Sequence, residues 1–362
     1  MGDMISVITL SYNNLNYFEE CLESIIQQDY ENIEWILCDD GSAQYDFYEQ
    51  KIRDFLARNP HHIKQIVFSH SNKNQGIIAN YRRALDLANG EYIFYLAIDD
   101  LFFDNHVLDD VVSFFEETEY EILGGYWESY YENGNVQLYP SEYEIALLQN
   151  APLEVIFQRF IRRTILIGSC VPYRRSLIDR LGFFDAPQLQ GYVHLEDWPR
   201  YLYLMEQGVR FGFLPRKLIK YRAGGITTEI ANAALRNDYK KLLDRYMMPP
   251  YSRILQAMQE KKYLVSWGSS GGFLFHYKQW ESITGKKFDW LVDSDADKWG
   301  QHLEGKEIRS PETLKDYAPG DIFITVCSQS YYVEIADRLE KMGFRQGEDF
   351  DILSREVIIW IS

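Results

Sequence analysis

The chain has 362 residues, enough for two domains, and its 46% hydrophobic and 15% aromatic residues are typical of a globular protein. Its formal net charge of −17 argues against nonspecific nucleic-acid binding, which depends on lysine and arginine, so we expect no nucleic-acid partner. The start, MGDMISVITL, lacks the pattern of a secretory signal, and no segment approaches the roughly 18 apolar residues of a membrane span, so we expect a cytoplasmic protein.

The first quarter of the chain alternates between strand and helix patterns. Strands are predicted at 5–12, 33–42, 63–70 and in GEYIFYLAIDD from Gly90, with helices at 16–29, 45–58 and 76–88 between them. This alternation predicts a parallel sheet covered by helices on both faces. Ligands of such sheets bind beyond the carboxyl ends of the strands, where Asp39, Asp40, Asp99 and Asp100 fall.

The remainder predicts a looser middle and a second α/β unit. The middle holds a hairpin in WESYYENGNVQLYP, a helix around 152–164, a strand in ILIGSCVPYR and a helix after LEDW. Residues 229–260 are helical in pattern, and the paired prolines of 247–251 are expected to stop that helix. Strands at 262–272, 287–295 and 321–330 then alternate with helices at 273–283 and 331–342. We therefore predict domains at 1–228 and 261–362, joined by a helical connection at 229–260.

Two pairs of carboxylates at one sheet edge repel each other unless cations or hydrogen-bond donors compensate. A divalent metal would do so, because Mg²⁺ and Mn²⁺ bind one or two carboxylates together with the phosphates of a substrate. The alternative is that each Asp-Asp pair only ends its strand and caps the following turn.

An ordered series of motifs carries a family resemblance over roughly residues 4–228. The segments are ISVITLSYNN, NIEWILCDDGS, NQGIIANYRRALDLANGEYIFYLAIDD, VPYRRSLIDRLGFFD, LEDW and KLIKYRAGGIT. In this order and spacing the chain resembles the inverting GT-A-fold glycosyltransferases that build bacterial polysaccharides. The resemblance implies an α/β fold, with a GT-A domain that uses a nucleotide-sugar donor.

On the donor side, the resemblance implies that Thr9, Tyr12 and Asp39 hold the nucleotide base, with the Asp39 carboxylate accepting from a uracil N–H and Asp40 supporting that edge. Asp99 and Asp100 match the end of the family's metal motif. Asp99 would be the principal ligand of a Mn²⁺ or Mg²⁺ ion that bridges the diphosphate.

On the acceptor side, Glu196 and Asp197 match the family's acidic pair, and Asp197 would be the general base. Gly168 and Ser169 would line the sugar site. Arg222 matches an arginine near the diphosphate, although a surface arginine is an equal interpretation. For LEDW alone, the alternative is a helix N-terminus, where the helix dipole favours acids.

Three positions depart from the family pattern. Ala97 stands where an aspartate is usual, so metal dependence is less secure than the fold. The YR pair is followed by Ala223, Gly224 and Gly225, where a histidine is often found. The arginine of the helix after NQG is replaced by Tyr81, beside Arg82 and Arg83.

The resemblance implies a UDP-sugar donor and a glycan or lipid-linked acceptor in cell-surface polysaccharide synthesis. The rival hypothesis is a catalytically silent protein that holds a nucleotide sugar or glycan. Arg159, Arg162 and Arg163 in the helix around 152–164 could meet a lipid-diphosphate acceptor at the inner face of the membrane. The alternative is an amphipathic helix packed on the sheet, with its arginines solvated.

The C-terminal unit resembles small Rossmann-like domains appended to polysaccharide enzymes. YLVSWGSSGG predicts a nucleotide-binding turn at Gly268, and Asp293 closes the second strand, but Ser270 stands where GxGxxG has glycine. Packing, dimerisation or partner binding is the favoured role, and dimerisation through this domain would give a homo-oligomer. Ligand binding and a second enzyme activity are the alternatives.

Overall fold

The computed structural model describes residues 3–130, 136–222, 233–328 and 330–352. The chain divides into two units, the first comprising 1–160 and 164–238 and the second comprising 161–163 and 239–362. The predicted boundaries at 228 and 261 stay a prediction.

Nine strands lie in the described part of the first unit: β1 (Ile5–Ser11), β2 (Ile33–Asp39), β3 (Ile63–His70), β4 (Tyr92–Tyr95), β5 (Leu101–Phe102), β6 (Leu123–Tyr130), β7 (Val136–Tyr139), β8 (Tyr173–Arg174) and β9 (Gly212–Arg222). The helices that begin in this unit are α1 (Phe18–Ile26), α2 (Tyr45–Arg58), α3 (Ile77–Leu87), α4 (Val107–Glu117), α5 (Glu142–Asn150), α6 (Leu153–Arg162), α7 (Arg175–Leu181), α8 (Trp198–Glu206) and α9 (Ala233–Leu242). The last residues of α6 and α9 belong to the second unit.

The main sheet has the strand order β3-β2-β1-β4-β8, parallel except for β8. Every residue of β1 and β2 is buried, as expected for strands covered on both faces. The predicted parallel sheet is confirmed. Its register aligns Ser11 with Asp39 and Asp39 with His70, so three polar side chains meet at its carboxyl edge.

A second sheet in this unit has the order β5-β9-β6-β7. The predicted hairpin is confirmed by the antiparallel pairing of β6 with β7, in which Trp127 faces Tyr139, while 131–135 lie outside the described residues. Strand β9 pairs with β5, which directly follows Asp99 and Asp100. This pairing carries Arg222, the last residue of β9, to the end of β4.

The second unit contains α10 (Met248–Glu260), α11 (Gly271–Thr284) and α12 (Tyr332–Lys341), with strands β10 (Tyr263–Trp267), β11 (Trp290–Val292), β12 (His302–Leu303), β13 (Lys306–Arg309), β14 (Ile322–Val326) and β15 (Phe350–Ile352). Their order is β12-β13-β11-β10-β14-β15, parallel except for the β12–β13 pair. The predicted second α/β unit is confirmed.

Two local predictions are wrong. The prolines after Met248 do not stop the helix: they stand in the first turn of α10, where proline is tolerated, and a π-helical segment at Leu243–Met247 precedes them. The predicted strand ILIGSCVPYR is instead a short 3₁₀ turn, Gly168–Cys170, followed by the two residues of β8. Among the described helices, none has the length and hydropathy that crossing a bilayer requires.

Candidate active site

Asp39, at the end of β2, is the most heavily bonded carboxylate of the sheet edge. Its Oδ1 accepts hydrogen bonds from the backbone N–H groups of Gly41, at 3.0 Å, and Ser42, at 2.8 Å, and lies 2.9 Å from His70 Nδ1. Its Oδ2 accepts from the hydroxyls of Ser11, at 2.8 Å, and Ser42, at 2.5 Å. Asp39 has 0% exposure, so both oxygens are used inside the protein.

Asp40 holds the loop that leads into α3. Its Oδ2 accepts the backbone N–H groups of Gln75, at 2.9 Å, and Gly76, at 2.8 Å, while its buried Oδ1 has no hydrogen-bond partner among the described residues. Burial raises the pKa of this carboxyl, against the lowering effect of those two N–H groups. The role of Asp40 in supporting a bound base stays a prediction.

Thr9 and Tyr12 differ in their access to a ligand. Thr9 is fully buried in β1, and its hydroxyl accepts the indole N–H of Trp35 at 3.0 Å. Tyr12 is 40% exposed just beyond the end of β1. Tyr12 can therefore meet a base directly, whereas the base-binding role of Thr9 stays a prediction without an exposed atom to carry it.

Asp99 and Asp100 follow β4 and share one electrostatic environment. Asp100 is 1% exposed; its Oδ1 accepts the backbone N–H of Arg222 at 3.0 Å, and its buried Oδ2 accepts no hydrogen bond from the described residues. Burial first, and then the Asp99 carboxylate, raise the pKa of Asp100 to about 8, against the lowering effects of Ser169 and Arg222. Burial also raises the pKa of the half-buried Asp99.

The Arg222 guanidinium lies across this acidic pair. It is 4.5 Å from the ring centroid of Tyr17 and 5.0 Å from that of Tyr130, and its Nε donates to the Asp99 carbonyl at 3.3 Å. It also pairs with the exposed Glu20 at 2.9 Å. The Arg222 side chain is thus held between two aromatic rings beside Asp99 and is not freely solvated. Ala223, Gly224 and Gly225 lie outside the described residues.

Glu196 points into the protein. Its Oε2 lies 3.1 Å from Arg200, and a Cβ on Gly168 would stand 2.0 Å from its Oε1, so a side chain at position 168 would displace the Glu196 carboxylate. Burial raises the pKa of Glu196 to about 7; Arg200 opposes that rise and Asp197 adds to it.

Asp197 stands at the start of α8. It is the N-cap of α8 and accepts the backbone N–H of Trp198 at 2.6 Å, while its side chain is half-buried. Burial raises its pKa, and the backbone N–H groups of Trp198 and Gly168 lower it. The helix-cap interpretation of LEDW is therefore confirmed for Asp197, and it is compatible with a role as base because a carboxylate keeps further lone pairs after capping.

Arg200, which is 1% exposed, was not among the residues predicted from the sequence. Five aromatic rings surround its guanidinium at centroid distances of 5.1–5.7 Å, those of Tyr81, Tyr173, Phe183, Phe184 and Tyr201. Such packing stabilises a weakly hydrated cation and fixes its partner Glu196. The available signal was an arginine inside the otherwise apolar and aromatic run WPRYLYL.

Gly168 and Ser169 bring the two acidic pairs together. Gly168 packs on Glu196, and its backbone lowers the pKa of Asp197. The neighbouring Ser169 side chain lowers the pKa of Asp100. The pKa of Tyr95 is raised well above its ordinary value by burial first, and then by Glu196, Asp99 and Asp100. Carboxylates 96 residues apart in sequence thus line one site.

A cation would find two carboxylates here. Within the described ranges, no group of three or more His, Cys, Asp or Glu side chains is arranged around a metal position. The orphaned Oδ2 of Asp100 and the half-buried Asp99 nevertheless fit a Mg²⁺ or Mn²⁺ ion whose other ligands are phosphates and water. Ala97 contributes no third carboxylate.

The arginines of α6 do not form the proposed membrane surface. Arg159 and Arg162 are 4% and 5% exposed. Within the second unit, the Nε of Arg162 donates to Asp351 Oδ1 at 2.8 Å. Both the membrane hypothesis and its alternative of solvated arginines are therefore wrong for these two residues, because buried guanidinium groups cannot face lipid or bulk water.

The turn after β10 is held by its own acid. Gly268 has a φ of +115°, which favours glycine, and Asp293 Oδ2 accepts the Ser269 N–H at 3.1 Å and lies 3.0 Å from Lys298 Nζ. The acid that would meet a ligand is thus engaged within the unit, and ligand binding there stays a prediction.

Known proteins resemble this chain. Residues 6–182 match the model of the glycosyl transferase family 2. The glycosyltransferase GlyG of Streptococcus pneumoniae serotype 4 is 27% identical over 157 residues, covering 43% of this chain and 50% of GlyG. The UDP-Glc:alpha-D-GlcNAc-diphosphoundecaprenol beta-1,3-glucosyltransferase WfaP of Escherichia coli is 24% identical over 210 residues, 58% of this chain and 72% of WfaP. The chain thus spans about half of GlyG and nearly three quarters of WfaP.

Two solved structures show weaker likeness. The TarS 1–349 structure of S. aureus in complex with UDP-GlcNAc has a TM-score of 0.48 and 19% identity, and covers 77% of each chain. The mannosyltransferase PcManGT of Pyrobaculum calidifontis, in complex with GDP-Man and Mn²⁺, has a TM-score of 0.47 and 16% identity, over 79% of this chain and 84% of its own.

Proposed function

We propose that the chain, of which residues 6–182 match the model of glycosyl transferase family 2, is a glycosyltransferase with a GT-A domain and a further α/β domain. It would transfer a sugar with inversion from a UDP-sugar to a hydroxyl of a glycan or lipid-linked acceptor. The activity for which WfaP is named, which pairs a UDP-sugar donor with a lipid-diphosphate acceptor, supports this choice. Cell-surface polysaccharide synthesis is the process that such a reaction would serve.

The observation that carries the proposal is the junction at Gly168 and Ser169. Gly168 packs against Glu196, the neighbour of Asp197, while Ser169 lowers the pKa of Asp100, whose Oδ1 accepts the Arg222 N–H. A displacement at an anomeric carbon needs a base on one side of the sugar and a stabilised leaving group on the other. The junction supports an arrangement in which both lie at one sugar-sized site.

Asp197 would be the base. Its half-buried carboxylate can take the proton of the acceptor hydroxyl as that oxygen forms its bond to the anomeric carbon. The bond between that carbon and the diphosphate oxygen breaks on the opposite face, which inverts the configuration. The raised pKa of Asp197 makes it a stronger base. Glu196 is held inward by Arg200 and would position the turn that carries Asp197.

Arg222, Asp99 and Asp100 would form the diphosphate end. The Arg222 guanidinium, bracketed by Tyr17 and Tyr130, can donate to departing phosphate oxygens. A Mn²⁺ or Mg²⁺ ion held by Asp99 and Asp100 would add positive charge for the leaving group. Without the third carboxylate at Ala97, we expect the donor phosphates to supply much of the ion's coordination.

The test is a screen of nucleotide sugars with and without Mn²⁺, in which nucleotide release is followed for the wild type and for Asp197→Asn. Asparagine keeps the helix cap but cannot accept the proton, so we expect release to fall about 10²- to 10⁴-fold with little change in donor affinity. Asp295→Asn, which alters another capping aspartate in the second unit, serves as the matched control and should retain full activity.

Release that is equal in the wild type and Asp197→Asn would remove Asp197 as the base. A wild type that binds a nucleotide sugar without releasing nucleotide would support the silent-protein alternative, and a wild type that binds none would contradict the proposed enzyme activity.

A further inference from the structure

Asp39, at the carboxyl end of β2, has a feature that the family resemblance does not account for. Every hydrogen-bond acceptor position of its carboxylate is already occupied. A carboxylate offers about four lone pairs, and the oxygens of Asp39 already face five donors from Ser11, Gly41, Ser42 and His70. With 0% exposure, Asp39 also has no surface toward a ligand. A base that needs an acceptor at this edge must find another atom.

His70 supplies that atom. An ionised carboxylate only accepts hydrogen bonds, so the 2.9 Å contact between Asp39 Oδ1 and His70 Nδ1 places the proton on Nδ1. In the neutral ring, Nε2 is then an acceptor. This nitrogen has no hydrogen-bond partner within the described parts of the chain, and the side chain is 30% exposed. When the ring is neutral, the Asp39 carboxylate thus favours the tautomer whose Nε2 carries a lone pair.

The ring is also fixed in orientation. Tyr45 stacks on His70 with centroids 4.2 Å apart and planes 11° from parallel. His70 is the last residue of β3 and is aligned with Asp39, which is aligned in turn with Ser11, the residue before the exposed Tyr12. An acceptor nitrogen and an exposed aromatic ring therefore stand at the carboxyl ends of β3 and β1, on the same edge of the sheet.

We propose that His70 Nε2, and not Asp39, accepts the imide N–H of the donor's base, and that His70 therefore selects uracil over cytosine. Uracil carries a hydrogen at N3, whereas cytosine presents a lone pair there, which would face the lone pair of Nε2. Asp39 acts as a positioning residue through the tautomer of His70. This inference deepens the proposed function and rests on its nucleotide-sugar site.

The test compares UDP and CDP binding by calorimetry in the wild type and in His70→Phe, which retains a ring for stacking on Tyr45 and loses the acceptor. The wild type should prefer UDP. In the variant, UDP affinity should fall about tenfold or more, as expected when a buried donor loses its partner, and CDP affinity should change little. His106→Phe is the matched control: His106 Nδ1 also lies 2.8 Å from an aspartate oxygen, that of the exposed Asp29, and UDP affinity should not change.

A measurement on the wild type covers the case in which His70→Phe does not fold. The ¹⁵N spectrum of the 7 labelled histidines should show His70 with a protonated Nδ1, and its Nε2 resonance should move with UDP and not with CDP. An unprotonated Nδ1, or a UDP preference that survives in His70→Phe, overturns the role of His70 and leaves the proposed function standing. A wild type that binds no UDP overturns both.

Discussion

Glu196 shows how a single buried carboxyl links the site to the stability of the protein. Its pKa of about 7 is raised by burial above an ordinary value of 4.5. Between these values the folded state holds a proton that the unfolded chain has released, so the free energy of unfolding falls as the pH rises from 4.5 to 7.

We predict that, between pH 4.5 and 7, the free energy of unfolding decreases by up to about 3 kcal/mol less in Glu196→Gln than in the wild type, since glutamine does not titrate. Urea unfolding of both proteins at several pH values measures the slope. Asp100, whose pKa is raised to about 8, should leave a residual slope in the variant.

The control for this prediction is Glu142→Gln, an exposed residue in the first turn of α5, which should unfold with the slope of the wild type. A Glu196→Gln protein with that same slope would show that Glu196 does not carry the pH dependence. Glu196→Gln also removes the charged partner of Arg200 and so changes the absolute stability, which is why the comparison uses only the slope of the free energy of unfolding against pH.

At the scale of elements, the 3₁₀ turn Gly168–Cys170 packs against Glu196, just before α8, because residue 168 has no side chain. A Cβ at Gly168 would lie 2.0 Å from Glu196 Oε1. We predict that Gly168→Ala displaces Glu196 and the adjacent cap, costs about 1–3 kcal/mol in stability and lowers nucleotide release.

A double-mutant cycle locates the cause of that loss. Glu196→Asp shortens the carboxylate by one methylene, so the combined Gly168→Ala and Glu196→Asp protein should be more stable than the sum of the two single effects. Strict additivity would mean that the clash is not with Glu196. Gly271→Ala, where a Cβ meets nothing within 4 Å, is the control and should be close to neutral.

The contrast between predicted and observed elements has physical causes. Strands β1 and β2 are long, continuous apolar runs, so their pattern identified them and placed Asp39 at a sheet edge. The segment 165–174 is equally apolar, but its course is set by contact with Glu196, about 30 residues later in the chain, which no local pattern contains. The residues around Asp39 follow the same rule: the aspartate was visible in the sequence, whereas the pairing that places His70 against it depends on strand register.

At the scale of the whole molecule, the chain is not divided at a single point along the sequence. Residues 161–163 belong with the C-terminal unit although they end a helix that begins in the first. No change in composition marks residues 161–163 as part of the second unit, so the sequence predicted two domains that follow one another along the chain. The contact that distinguishes it is a buried ion pair between Arg162, 5% exposed, and Asp351, 0% exposed.

This ion pair allows the division to be tested. The Nε and Nη2 of Arg162 both donate to the Asp351 carboxylate, at 2.7–2.9 Å, and the Tyr332 hydroxyl donates to Asp351 Oδ1 at 3.2 Å. Removing one charge leaves the other buried without its partner, so we predict that Asp351→Asn destabilises the second unit by about 3–5 kcal/mol, and that Arg162→Met combined with Asp351→Leu costs clearly less.

Urea unfolding followed by tryptophan fluorescence reports on this unit through Trp267, Trp280 and Trp290. Asp337→Asn, which removes an exposed ion pair with Lys341 in the same unit, should cost less than about 1 kcal/mol. If Asp351→Asn proved as mild as this control, the pair would not hold residues 161–163 in the second unit.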